Sequence, residues 1–227
     1  MEPSQELDRN TQIHVVGISG SMRLGSHTRM ALEIALRGCQ RAGATTELIN
    51  LRDYALPFCA GKMGELERNQ DVMKLRQSVQ QAQGVILGTP VYHGSFSGVL
   101  KNALDAMGFE EFEGKVVGLL GVSGGAFGAA DALTGLQVVC RSLHAWVIPQ
   151  QVSIAEAWNV FDADETIKDH GVERRLLSVG QQVVRFAYLH TSKQALEFLH
   201  QWEEAVANPG GGTRVQIRPE AEPGQSQ

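Results

Sequence analysis

Three short stretches combine glycines with side chains suited to holding a small anionic ligand that carries a ring. The first is Gly20-Ser21-Met22-Arg23-Leu24-Gly25-Ser26-His27-Thr28. Glycine lets backbone N–H groups close on an anion, and the start of a following helix adds partial positive charge. The hydroxyls of Ser21, Ser26 and Thr28 can bond phosphate oxygens, and Arg23 brings a full charge. No Gly-Lys-Ser/Thr follows, which excludes a Walker-type loop, and the glycine spacing does not fit GxGxxG. Side-chain hydroxyls suit a terminal phosphate monoester better than a pyrophosphate. The plainer reading of this stretch is that Ser26 or Thr28 caps the helix and the glycines only turn the chain.

The second stretch is Pro90-Val91-Tyr92-His93-Gly94-Ser95-Phe96-Ser97-Gly98. Proline fixes the turn, an aromatic and an imidazole can flank a flat ring, and glycines let backbone groups meet its polar edge. As an ordinary loop it would only deliver Ser97 to cap the next helix. The third stretch, Ser123-Gly124-Gly125-Ala126-Phe127-Gly128, permits close backbone approach from another side. Its bland alternative is a flexible turn.

Each stretch must leave the end of a buried strand. Ile13 to Ser19 is a nearly continuous apolar run rich in β-branched residues, as expected of a strand covered on both faces. Ala31, Ile34, Ala35 and Gly38 then recur at helical spacing, a small apolar face able to pack closely on a sheet. The alternation repeats through strands at Thr45–Leu51, Gly84–Thr89, KVVGLLGV and WVIPQQVSI, with intervening helices that carry Val72, Leu75, Val79 and Ala82, then Val99, Leu100, Ala103, Leu104 and Met107, then Leu133, Leu136, Cys140 and Leu143. Strands alternating with amphipathic helices imply right-handed crossovers and a doubly wound parallel sheet. Glu173–Tyr188 and Ser192–Val206 read as further helices, and residues 208–227 lack the apolar content to pack, which predicts a disordered tail. In such a sheet of order 2-1-3-4-5, phosphate chemistry after the first strand and ring-binding chemistry after the third flank the topological switch point. Together they specify a mononucleotide with a large ring.

Composition narrows the classes. A chain of 227 residues suits one domain, here 11–207, and a net charge of −5 argues against nucleic acid as a partner. Cys39, Cys59 and Cys140 show no zinc or disulfide spacing, and a reducing, cytoplasmic compartment is expected. MEPSQELDRN lacks the basic and apolar segments of a signal peptide, and no apolar run is long enough to span a membrane.

On the residues quoted, the sequence resembles the NADPH-dependent FMN reductase family, flavodoxin-like proteins that include quinone, azo and chromate reductases. The likeness covers roughly Ile13 to Ile154. A GSxRxxSxT-like phosphate motif matches Gly20, Ser21, Arg23, Ser26 and Thr28 in register. A PxYxxSxxxxLKNxxD motif matches Pro90, Tyr92, Ser95, Leu100, Lys101, Asn102 and Asp105. The resemblance implies a flavodoxin-like five-stranded parallel sheet of order 2-1-3-4-5 with an extra C-terminal helix. It implies that Ser21, Arg23, Ser26 and Thr28 hold the FMN phosphate, that the Pro90, Val91, Tyr92 and His93 stretch meets the isoalloxazine through backbone N–H groups, and that Ser123, Gly124 and Gly125 contact its other edge. His27, inside the phosphate motif where many relatives carry another residue, is counted with the cofactor-binding set. Relatives commonly pair near Lys101-Asn102 and Gly108-Phe109, which implies a homodimer or homotetramer.

Because the flavin carries the redox chemistry, no side chain is assigned as a catalytic acid or base, and no metal is expected. The implied reaction is ping-pong: NADPH, or NADH, delivers hydride and leaves, and a small-molecule acceptor such as a flavin, a quinone or an azo compound takes its place. An NADPH 2′-phosphate would need a cationic partner, for which Arg23 is a candidate if FMN does not fully use it and Lys101 a weaker one. The alternatives are a flavodoxin-like electron carrier and a flavin-binding sensor that uses the C-terminal extension for a partner. A dinucleotide dehydrogenase using Asp53 and Arg52 is the weakest rival, since its fingerprint glycines are absent.

Overall fold

The computed structural model describes residues 12–61, 63–162, 166–192 and 195–197. Five parallel strands form the sheet: β1 (His14–Ser19), β2 (Thr45–Asn50), β3 (Gly84–Tyr92), β4 (Val116–Val122) and β5 (Trp146–Ile154). Their order is β2-β1-β3-β4-β5, as expected. Five helices of two turns or more return the chain: α1 (His27–Arg41), α2 (Gln70–Gln81), α3 (Gly98–Asp105), α4 (Ala130–Ser142) and α5 (His170–Thr191). Alternate residues of each central strand feed opposite cores. Val16, Ile18, Val85, Leu87, Val117 and Leu119 meet the α2, α3 and α4 layer, whereas Val15, Ile86, Val116 and Leu120 meet α1 and α5.

Two features depart from the sequence reading. β3 continues to Tyr92 instead of ending at Thr89, because Val91 and Tyr92 pair antiparallel with a two-residue strand, Ser95–Phe96. The expected loop is therefore a hairpin. His93 and Gly94 form its turn with φ of 50° and 78°, the left-handed pair that matches the twist of the flanking strands. Histidine is among the side chains that tolerate this region, but it does not advertise a turn as Asn-Gly does.

The second departure concerns Gly38, which faces α5 and not the sheet. A Cβ there would lie 2.2 Å from Leu177 O, and one at Gly180 would lie 1.9 Å from Ala35 O. The two helices thus cross backbone on backbone, and Cys39 Sγ donates to Gly180 O at 3.4 Å. α5 also presses Val183 into the gap left by Gly84 and Gly118, so the last helix is part of the core and not an appendage. Asp169 caps it, accepting from Gly171 N at 2.7 Å and Val172 N at 3.0 Å. All three cysteines are free; Cys39 and Cys140 are buried, which pushes both thiols up to about 12. The Ser192–Val206 helix and the 208–227 tail lie outside the described residues, apart from Ser192 and the helical 195–197.

Candidate functional site

The C-terminal ends of β1, β3 and β4 open into a common crevice. After β1, Gly20 N donates to Gly88 O at 2.8 Å, which ties the start of the first loop to β3. No side chain fits at Gly20, where a Cβ would lie 2.8 Å from Leu100 Cβ and 2.9 Å from Ser97 Oγ. Ser97 locks the same junction: its hydroxyl donates to Gly20 O at 2.7 Å and accepts from Leu100 N at 3.2 Å as the cap of α3. The capping role considered for Ser97 is correct, and it also anchors the neighbouring loop.

Ser26 caps α1, accepting from Arg29 N at 3.4 Å. Ser21 Oγ accepts from Arg23 N at 3.4 Å, which folds the loop back on itself. Among the described residues, the amides of His27 and Thr28, the Thr28 hydroxyl and the Arg23 guanidinium have no protein partner. Ser19 Oγ, at the last residue of β1, is also the only buried side-chain nitrogen or oxygen there without one. Unmatched hydrogen-bonding capacity therefore gathers at this strand end, where anion binding uses it.

His27 begins α1 and stacks on Phe161, with centroids 5.2 Å apart and planes 16° from parallel. Burial, and then the positive charge of Arg23, hold its imidazole below the ordinary histidine value. Phe161 belongs to a segment that follows β5. Ala157 N donates to Ser123 O at 3.1 Å and Glu156 N to Gly125 O at 3.2 Å, so that segment is fastened to the third loop. Trp158 rides on its one-turn helix, Ala157–Val160, close enough to Gly124 that a Cβ there would lie 3.3 Å from the indole.

A cavity of about 350 Å³ collects Ser21, Arg23, Ser26, His27 and Thr28 with Pro90, Val91, Tyr92 and Gly124. The other three expected residues, His93, Ser123 and Gly125, line a neighbouring cavity of about 560 Å³ that shares Val91 with the first. Ser123 Oγ accepts from Gly125 N at 3.0 Å and shapes the third loop from within. Sequence reasoning missed Trp158 on the first cavity, and Phe127 and Asp131 on the second. The end of the fifth strand was a readable signal for Trp158, since ligands in this architecture sit at strand ends. Lys101 is engaged with Asp105 at 2.5 Å, and Asn102 clamps the Pro57–Cys59 segment through bonds of 3.0 Å to Pro57 O and Cys59 N. The motif around Lys101 is thus largely structural.

The model of the family described as NADPH-dependent FMN reductase matches residues 13–159, well over half of the chain. The chain belongs to the NADPH-dependent FMN reductase family. An FMN-dependent NADPH-azoreductase from Staphylococcus aureus is 34% identical over 139 residues, covering 60% of this chain and 73% of that protein. Among solved structures, the flavoenzyme NAD(P)H:(acceptor) oxidoreductase FerB from Paracoccus denitrificans superposes with a TM-score of 0.64 at 21% identity, over 78% of this chain and 98% of its own. An NADH:FMN oxidoreductase in its apo form gives 0.62 at 21% identity, over 82% of this chain and 100% of its own. At that identity the two structures establish the flavodoxin-like fold. The chain is accordingly an oxidoreductase with FMN as cofactor and NADPH as co-substrate. Among its described residues no helix is long and apolar enough to cross a membrane.

Proposed function

We propose that FMN lies along the inner wall of the crevice that the two cavities share at Val91, its phosphate in the smaller one, and that NADPH and then a small aromatic acceptor use the open side in turn. The reading is carried by the strand end that gathers Arg23, the free amides of His27 and Thr28, and the hydroxyls of Ser21, Ser26 and Thr28 around one cavity. These groups suit a phosphate monoester: Arg23 supplies charge, the α1 start supplies N–H donors, and the hydroxyls take the remaining oxygens. Pro90, Val91, Tyr92 and His93 would hold one edge of the ring and Ser123, Gly124 and Gly125 another, with the Trp158 indole as a further wall.

Bound FMN supplies hydride and electron transfer. The chain's own residues would bind, orient and shield it, and hydride transfer to the flavin calls for no obligatory protein acid or base. Lys101 is held by Asp105, so Arg23, where FMN does not fully use it, is the better candidate for an NADPH 2′-phosphate. Acceptors of the flavin, quinone and azo classes fit a crevice open on one side. The free thiols suit a reducing compartment, and the exposed Phe109 offers a surface for a homodimer or homotetramer.

The deciding experiment is a visible spectrum of the purified protein followed by anaerobic titration with NADPH and NADH. The expected result is stoichiometric FMN, bleached by NADPH, with riboflavin binding far more weakly than FMN. Stoichiometric FAD in place of FMN would sink the monophosphate reading. FMN that NADPH leaves oxidised would point to an electron carrier.

A further inference from the structure

We propose that the cavity of about 560 Å³ beside the phosphate end is the acceptor subsite, and that Phe127 and Asp131 make it prefer neutral or cationic planar aromatics over anionic ones. This rests on the flavin reading above. The cavity lies between the hairpin, which contributes Val91 and His93, and the start of α4, which contributes Ala130 and Asp131. Because Val91 also borders the phosphate-end cavity, a ring bound here lies next to whatever ring rests on that residue.

Phe127 projects fully into solvent from a loop whose flanks are fixed. Gly128, at φ 70°, donates to Gly125 O at 3.4 Å, and Ala129 N donates to Ser153 Oγ at 2.7 Å. An aromatic side chain left wholly in water on a tethered loop contributes nothing to the core, but it gains by stacking on a flat ligand. Its position on the cavity wall supplies the class of ligand: planar and aromatic.

Charge supplies the discrimination. Asp131 is the only carboxylate, and no Lys or Arg accompanies it, among the residues that line this cavity. It makes no ion pair with a described residue. The other cavity carries Arg23 and no carboxylate. The crevice is therefore polarised along its length, with the phosphate-bearing parts of FMN and NADPH drawn to the Arg23 end. A sulfonate on the acceptor ring would sit against Asp131 and be repelled, whereas an ammonium would be attracted.

The test uses the holoenzyme with NADPH and two azo dyes identical except for a para sulfonate or a para trimethylammonium group. Wild type is expected to favour the cationic dye in kcat/KM by about tenfold. Asp131→Asn should shrink that ratio about three- to tenfold, in line with a partly exposed charge, and Asp131→Lys should invert it. Reading a ratio within one preparation cancels any general loss of folding or turnover. Phe127→Ala should lower kcat/KM for both dyes together. An unaltered dye ratio in Asp131→Asn holoenzyme whose flavin NADPH still reduces overturns this inference alone. A protein that takes up no FMN overturns the flavin reading and the subsite with it.

Discussion

The α1–α5 crossing and the strand-end crevice lie at opposite extremes of packing within one small fold. At the crossing, Gly38 and Gly180 bring two helix backbones so close that neither position has room for a methyl group. At the crevice, the Arg23 guanidinium, the Thr28 hydroxyl and two helix amides have no partner among the described residues, and Tyr92, Phe127 and Trp158 stand half or fully exposed. The first region packs helix on helix, with Cys39 Sγ donating to Gly180 O. The second leaves contacts for something outside the chain, which is the difference between a surface built for stability and one built for binding.

The largest expected effect tests the closed side. Gly180→Ala would place a Cβ 1.9 Å from Ala35 O and 2.8 Å from Cys39 N, both backbone atoms that can only move if the helices part. Overpacking of this kind costs about 3 kcal/mol or more, roughly 6–12 °C in Tm for a chain of this size. Gly98→Ala, with nothing within 4 Å of its Cβ, is the matched control and should stay within about 0.5 kcal/mol of wild type. Equal melting temperatures for the two variants would show that the crossing has slack.

Arg23→Ala tests the open side. It should weaken FMN binding by about 1.5–3 kcal/mol, ten- to a hundredfold, by removing a charged hydrogen bond to a phosphate. Tm without FMN should not change, because the guanidinium holds nothing in the protein. Riboflavin affinity should be indifferent to the change. Titration by flavin fluorescence decides it, and an unaltered FMN dissociation constant would move Arg23 to the NADPH side or to solvent.

The two regions were also unequally legible. The proposed phosphate loop could be singled out because its candidate groups lie in consecutive residues, Gly20 to Thr28, whose chemistry is legible without coordinates. The alternation of strands and helices and the buried faces of α2 and α4 followed from periodicity, the strand order came with the family resemblance, and Val72, Leu75, Val79, Leu133, Leu136 and Cys140 are all buried as expected. The crossing was not readable, because Gly38 is an ordinary small residue until Gly180, far along the chain, is laid on it. The hairpin at His93-Gly94 was missed for a local reason, since a histidine at positive φ resembles any loop residue. Asp131 was not legible, since it reaches the crevice through contacts such as Ala129 N to Ser153 Oγ that no motif encodes, whereas Phe127 stood in the third glycine stretch and Trp158 just past the fifth strand without being read as walls.

His93 gives a smaller effect and asks whether the open side carries chemistry or only shape. Its φ of 50° makes alanine a poor probe, because strain in the turn would mimic a catalytic loss. Asparagine keeps the turn. His93→Asn should lower NADPH-to-acceptor turnover by less than roughly tenfold, about 1.4 kcal/mol of barrier. If the imidazole instead protonates the reduced acceptor, flavin reoxidation alone would slow by about 10²–10⁴-fold in stopped-flow measurements, and His93 would become a catalytic acid.

The smallest expected effect joins the two regions, because His27 belongs to the open loop yet stacks on Phe161, which packs in the α5-side core. In the free protein, burial first and Arg23 second disfavour the imidazolium, so His27 stays neutral below the pH at which an unfolded chain takes up the proton. The sign follows. Its contribution to stability is intact above the ordinary histidine value near 6.5 and is lost as pH falls from there toward the lower folded value. A phosphate dianion beside the ring acts in the opposite sense, raising that value and linking FMN binding to proton uptake. Affinity should therefore benefit from His27 at low pH and lose that benefit as pH rises. His27→Phe keeps a ring on Phe161 and cannot titrate. Free FMN is the same reference for both proteins, so the ratio of their dissociation constants isolates the histidine and its coupling to the bound phosphate. That ratio should grow about threefold in favour of wild type between about pH 7.5 and 5.5. The melting temperature of the FMN-free protein should fall more steeply for wild type than for the variant over the same range. Parallel pH profiles for the two proteins in both measurements would show that His27 is only a spacer between the loop and the core.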